Sequence, residues 1–600
     1  MSEDGEVATG RDDGGETPLK AWTRALSLTA PIARQRFRTL AAVVEDQADR
    51  SGDALALISE RERLTYRALA GAANRYARWG LARGLGAGDV VCLVMANCAE
   101  YMAIWLGITR IGAVVSLVNT NLAGEALAYS INLVRPSHVI VAAEFAEAIA
   151  AIVPRLTGMR LWGHGDGPHG LPRIDREVGG LSGARLDGAE YRAPSLDDLA
   201  LYIYTSGTTG MPKAAKVSHF RLMQWSHWFA GMMGIRPSDR LYDCLPMYHS
   251  IGGVVALGAP LVAGASVVIR RRFSAHRFWD DVTEWRCTLF QYIGELCRYL
   301  VQSPPHPRET LHQIRLCCGN GLRADVWERF QRRFAIPRIL EYYAATEASF
   351  SLYNCEGRVG SIGRVPGFLT HRFAVALVRV DAESGTPIRG DDGFCVRCRA
   401  DEIGEAVGRI GPDGAGRFEG YADDEASERK VLRNVFVEGD AWYRTGDLMR
   451  RDAEGYFYFV DRLGDSFRWK GENVSTGQVA EAIAACPGVV DALVYGVSIP
   501  GTEGRAGMAA VVVDEDFDLA ALRRHMTKRL AGYARPLFVR ICDALQTTAT
   551  FKPLKHDLSR QGYDPVLTSD ALYFDDRAAG RFVPLDAALH ERIRSGDLRL

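Results

Sequence analysis

The chain has 600 residues, 47% of them apolar and 24% charged, enough to bury a large core and to build roughly two to four domains. With 72 Lys and Arg against 73 Asp and Glu its formal charge is −1, so no global positive field exists to attract nucleic acid. The twelve cysteines lack the dense spacing of a disulfide scaffold, which predicts a reducing, cytoplasmic setting. No apolar run reaches the roughly 18 to 20 residues that span a bilayer, and the first 18 residues are acidic and Gly-rich rather than signal-like.

In chain order, residues 1–38 read as a tail and a lead-in segment. Residues 20–38 mix Trp, Leu and Phe with Lys20, Arg24, Arg34, Arg36 and Arg38, and Pro31 interrupts them. That composition can lie at the inner membrane surface as a peripheral contact. The plainer reading is a solvated helix packed on the next domain. From 39 to 148, helical apolar spacing alternates with short β-rich runs such as VVCLVM after Asp89 and VIVAA after His138, the rhythm of an α/β domain with parallel strands. Residues 158–197 read as a loop. The rhythm resumes at Leu199 and passes Leu340, with ASVVI after Gly264 and IRLCCG after Gln313 as buried strands. From Arg372 to Phe459, short runs with close turn signals predict a β-rich subdomain. There, Cys395 and Cys398 form a CxxC with no second Cys or His pair nearby, so they read as packing residues rather than zinc ligands. After Asp461 the pattern predicts helices at 478–485 and 519–530 and strands at 489–497 and 508–513, a compact α+β domain. The expected fold is therefore α/β: a large multilayer N-terminal domain over 39–460 with a β-rich subdomain, and a small mobile α+β lid domain over 461–600.

Chemistry enters at residues 202–213, YIYTSGTTGMPK, directly after an apolar run. Gly207 and Gly210 let the backbone approach a ligand closely, Thr205, Ser206, Thr208 and Thr209 offer hydroxyls, and Lys213 adds a compact positive charge. A polyphosphate suits such a loop. The pattern GxxxxGK[ST] does not fit, because Met211 and Pro212 separate Gly210 from the lysine and the two glycines are too close. Further polar clusters follow: CGNGL at 318–322, EYYAATE at 341–347, YRTGDL at 443–448, DRLGDSFRWKG at 461–471 and TFKPLK at 550–555.

Taken in this order, these clusters closely resemble the adenylate-forming superfamily of acyl-CoA synthetases, luciferases and peptide-synthetase adenylation domains. Within it the wording is most similar to the fatty acid transport protein, or very-long-chain acyl-CoA synthetase, family. The resemblance runs from Thr39 to Leu600. It implies an ATP- and Mg²⁺-dependent ligase that joins a fatty acid carboxylate to AMP, releases pyrophosphate, and then passes the acyl group to CoA. An ionised carboxylate needs no general base, so alignment and charge neutralisation of the phosphates carry the first step.

The same resemblance implies the roles of single residues. Glu347 would hold Mg²⁺ as a hard oxygen ligand, with Thr346 beside it on the phosphate. Tyr343 would face the adenine, with Gly319, Asn320 and Gly321 as the opposite wall. Asp447 would accept the ribose hydroxyls and Arg462 would meet the nucleotide. Lys552 matches the catalytic lysine, preceded here by Phe551 where many relatives carry Gly. Gly471 would leave room for the pantetheine arm after the small domain rotates, and Gly464 stands where many relatives place a hinge Asp or Lys. His249 corresponds to a position at the acyl-pocket entrance, next to Met223, Trp225, Trp228, Phe229, Met232 and Met233, whose spacing also fits ordinary helix core. Two other readings stay open: a ligase for an aromatic or sterol-type acid or a carrier-protein acceptor, and a membrane-associated fatty acid uptake or binding protein.

Overall fold

The computed structural model describes residues 17–598 except 168–169, 206–210, 349, 382–383, 412–415, 471, 501, 503 and 548–553. The chain forms two compact units, one within Met1–Tyr342 together with Asn354–Val359, the other comprising Tyr343–Tyr353 and Gly360–Leu600.

The first unit is built on two largely parallel sheets. One is six-stranded, ordered Arg160–His164, His138–Ala142, Val90–Val94, Val114–Leu117, Leu199–Thr205 and Lys213–Ser218. Its last two strands form an antiparallel hairpin and the rest run parallel. The strand Val114–Leu117 is buried throughout, as parallel strands covered on both faces must be. The other sheet runs Ile339–Ala344, Leu316–Asn320, Leu289–Ile293, Arg240–Asp243, Ser266–Ile269 and Leu55–Ile58, all parallel, and closes with the antiparallel Arg63–Thr65. The alternation of helix and strand read from 39 to 148 and beyond Leu199 thus forms as expected. The segment 158–197 does not: Arg160–His164 adds a parallel edge strand to His138–Ala142, and Ile174–Gly179 is a helix. An edge strand with one apolar neighbour needs no long apolar run of its own, so RLWGH carried no strand signal.

The lead-in segment is the helix Pro18–Thr29, with Pro at its first turn, where the missing N–H costs nothing. Its buried face, Ala21, Trp22 and Ala25, packs on the helix His219–Met233. Trp22 meets Trp228 edge-on at 5.7 Å, and Gly231 lets the two backbones close, since a Cβ there would sit 2.4 Å from Ala25 Cα. Among the described residues no helix is long and apolar enough to cross a membrane.

Among the described residues the second unit holds two five-stranded sheets and a two-stranded ribbon, Phe467–Trp469 with Glu472–Val474. The antiparallel one, predicted between Arg372 and Phe459, orders Val375–Val378, Ile403–Arg409, Ala441–Arg451 and Val431–Arg433, with Phe457–Arg462 also paired to Ala441–Arg451. Cys395 and Cys398 pack in its apolar clusters. The other runs Val489–Val497, Ala506–Val513, Phe538–Ile541, Ala571–Asp576 and Arg581–Pro584, against which Thr476–Ala484 and Leu519–Arg529 pack. The last three strands were not read from the sequence.

Candidate active site

In the first unit, Thr205 and Lys213 are directly paired residues of the hairpin Leu199–Thr205/Lys213–Ser218. The lysine therefore sits across the ladder from Thr205, the last described residue before the glycine-rich segment. The element that follows that segment is a strand, Lys213–Ser218, not the helix of the excluded phosphate-loop pattern. Ser206, Gly207, Thr208, Thr209 and Gly210 lie outside the described residues.

Gly319 and Asn320 end the parallel strand Leu316–Asn320, and Gly321 follows at φ +75°. Ligands of open parallel sheets gather at such carboxyl ends. His249 precedes a π-helical segment, Ser250–Gly258, a geometry frequent at functional sites. Its backbone N–H donates to Pro246 O and its carbonyl accepts from Gly253 N at 2.7 Å, with its ring 4.6 Å from that of Tyr248. Most of the aromatic and Met side chains of the adjoining helix are core: Met223, Trp228, Phe229, Met232 and Met233 are buried while Trp225 is half-buried, and Phe229 packs on Tyr342.

In the second unit, the YRTGDL motif forms a bulged part of the long strand Ala441–Arg451. Arg444 forks onto the fully buried Glu405, which also accepts from Gly446 N at 3.1 Å. Thr445 Oγ donates to Ala406 O at 2.7 Å and accepts from Asp447 N. Gly446 takes φ +76°, the left-handed geometry that a bulge demands and glycine permits. The result turns Asp447 toward Tyr343, whose hydroxyl donates to Oδ2 at 2.5 Å. Arg462, its register partner on the next strand, reaches Oδ1 at 3.6 Å. Burial, followed by the Asp447 charge, pushes the Tyr343 phenol well above its ordinary pKa, and the ring meets Phe350 edge-on at 5.3 Å. Tyr343, Asp447 and Arg462 thus come together as a shelf with an aromatic face and a carboxylate.

Glu347, which follows Thr346, is 6% exposed. Its Oε1 accepts from two phenols, Tyr443 at 2.7 Å and Tyr421. Neither tyrosine was singled out from the sequence; Tyr443 lay unremarked inside its motif, and Tyr421 carried no signal beyond following a glycine. The other oxygen, Oε2, takes no hydrogen bond from the described residues. A carboxylate so fixed, with one oxygen committed and one open, fits a hard cation that shares its remaining ligands with phosphate and water. Lys552 and Gly471 lie outside the described residues. Lys555 Nζ, just beyond Lys552, donates to Asp465 Oδ2 at 3.0 Å and Thr476 Oγ at 2.9 Å, tying that segment to the 461–475 motif.

Comparison with known proteins decides the family. The model of AMP-binding enzymes matches residues 44–393, and that of the AMP-binding enzyme C-terminal domain matches 478–552. The chain belongs to the AMP-binding enzyme family. Within this family it is 40% identical to long-chain fatty acid transport protein 1 of Mus musculus, over 94% of this chain and 89% of the relative. It is 38% identical to the medium/long-chain-fatty-acid–CoA ligase FadD6 of Mycobacterium tuberculosis, over 95% and 94%. The solved structure of ATP-bound MatB from Rhodopseudomonas palustris aligns with a TM-score of 0.73 at 26% identity, covering 88% of this chain and all of that one. The anthranilate CoA ligase AuaEII shares the fold, with a TM-score of 0.74 at 22% identity over 87% and 96%. This AMP-binding enzyme is accordingly an AMP-forming ligase with the adenylate-forming fold.

Proposed function

We propose that the chain is a CoA ligase for long- or very-long-chain fatty acids. The acid's ionised carboxylate attacks the α-phosphate of ATP, giving acyl-AMP and pyrophosphate; the CoA thiol then displaces AMP to give the thioester. The observation that supports this reading is the second-unit constellation: the aromatic ring of Tyr343, the Asp447 carboxylate held by Tyr343 and Arg462, and the fixed carboxylate of Glu347. The identities to fatty acid transport and fatty-acid–CoA ligase relatives support the acid class. Glu347 holds Mg²⁺ in this proposal, and the cation when bound would neutralise phosphate charge. Thr346 meets the phosphate, Gly319, Asn320 and Gly321 face the base, and the loop from Thr205 to Lys213 holds the phosphate chain. His249 stands at the acyl entrance, Lys552 stabilises the charge developing during adenylation, and Gly471 lines the thiol path. The division into 39–460 and 461–600 and a peripheral membrane contact through residues 20–38 belong to the same proposal. Leu28 and Phe37 of that segment are exposed while Trp22 is buried.

The deciding experiment measures pyrophosphate release by the purified chain with ATP, Mg²⁺ and fatty acids of medium to very long chain, each with and without CoA. Release that follows chain length and turns over only with CoA is expected. No release with any fatty acid, but release with aromatic or sterol-type acids, would overturn the acid class. Turnover with a carrier protein in place of CoA would overturn the acceptor.

A further inference from the structure

Three neighbouring parallel strands place Tyr292, Gly319 and Glu341 in one row, because Tyr292 pairs with Gly319 and Gly319 with Glu341. The outer two side chains meet across the middle one: the Tyr292 hydroxyl lies 2.5 Å from Glu341 Oε2. Only a glycine between them permits this, since a Cβ at 319 would sit 2.6 Å from the Tyr292 ring and 2.2 Å from its carbonyl oxygen. The other carboxyl oxygen, Oε1, accepts the backbone N–H of Leu322 at 3.1 Å. The loop is also seated from below by Gly294, where a Cβ would fall 1.9 Å from Gly321 O. Glu341 and Tyr292 are 1% and 0% exposed, so the brace works in a dry setting where each bond counts more.

We propose that Glu341, braced by Tyr292 over Gly319, is a positioning residue that sets the Gly319–Gly321 loop and through it the affinity for ATP. This rests on that loop facing the nucleotide, as proposed above, and adds a residue that touches no ligand. Burial raises the Glu341 carboxyl to about 8 against the opposing pull of its hydrogen bonds. The titratable groups facing it, Tyr292, Cys297 and Cys318, are held neutral by burial as well. At pH 7 the carboxyl is therefore mainly protonated, with the Tyr292 hydroxyl on Oε2 and the Leu322 N–H on Oε1. Above pH 8 a buried carboxylate with no cation beside it favours opening the loop to water, so ATP affinity falls.

Equilibrium titration with ATP alone, in the absence of any acid, reads this directly across pH 6.5 to 9.5. Glu341→Gln keeps an uncharged side chain of the same shape, with an oxygen that accepts and an NH₂ that donates. It is expected to keep wild-type affinity at pH 7 and to lose the wild-type weakening above pH 8. Glu341→Ala is expected to weaken ATP about tenfold, the loss of a buried hydrogen-bonded group. Tyr292→Phe, which keeps the shape of the core, is expected to weaken it a few-fold at pH 7. In turnover, KM for ATP should rise in the Ala and Phe variants with kcat at saturating ATP little changed. Equal pH profiles for wild type and Glu341→Gln, or wild-type affinity in folded Tyr292→Phe and Glu341→Ala, would overturn the proposal. Failure of the wild type to bind ATP would instead overturn the nucleotide reading on which it rests.

Discussion

Two phenol hydrogens on one oxygen keep Glu347 from rotating and leave its second oxygen available. A hydrogen bond to a charged group contributes about 1.5–3 kcal/mol, so each phenol matters to where that carboxylate points. Tyr421→Phe and Tyr443→Phe should each weaken apparent Mg²⁺ affinity about threefold to tenfold, and the double variant should lose more. The check is ATP binding titrated against Mg²⁺, read beside thermal melting to separate a general loss of packing. An unchanged Mg²⁺ dependence in the double variant would rule out their positioning role. The tyrosines also show where residue-level reading stops. Glu347 announces itself through its motif, whereas Tyr421 lies 74 positions away, and nothing local marks a residue whose partner is that distant in the chain.

Among the elements, strands with strong apolar runs were legible, and Val489–Val497 forms over the expected residues. Those that borrow their apolar cover were not: Arg160–His164 depends on His138–Ala142, and Arg581–Pro584, whose residues are half-buried or exposed, depends on Ala571–Asp576. The mixed Trp, Leu and cationic make-up of residues 20–38 left two fates open, and packing took the helix's Trp22 inside. Gly231 is the contact on which that packing turns. Gly231→Leu would drive a side chain into the Ala25 backbone, which cannot rotate away, at a cost of about 1–3 kcal/mol. The expected outcome is release of Pro18–Thr29 from its partner helix, seen as a changed tryptophan emission from Trp22 and Trp228 and faster proteolysis near residues 18–34. Wild-type emission and proteolysis would mean the helix stays docked despite the leucine and the close approach at Gly231 is unimportant.

For the whole molecule, the two half-reactions ask for different residues of one chain. If Lys552 serves adenylation and Gly471 serves thiol transfer, the two activities separate by mutation. Lys552→Ala should reduce acyl-AMP formation by a hundredfold or more, on the order of losing one preorganised charge at the transition state, while sparing CoA transfer from supplied acyl-AMP. Gly471→Leu should do the reverse by filling the thiol path. Equal loss of both half-reactions in both folded variants would show that the two residues do not serve separate steps.

The sequence by itself determined the family, the order of the motifs, the α/β rhythm and the residue types of a nucleotide site, because these depend on local chemistry and on periodicities a chain carries within ten or so residues. Tertiary structure alone decided that Tyr343, Asp447 and Arg462 share a shelf, that Glu347 is gripped by Tyr421 and Tyr443, and that Tyr292 reaches Glu341 across Gly319. Asp447 meets Arg462, and Tyr292 reaches Glu341, through strand register, while the Glu347 contacts join segments 74 and 96 positions apart; each is a relation between distant segments that no window of sequence contains.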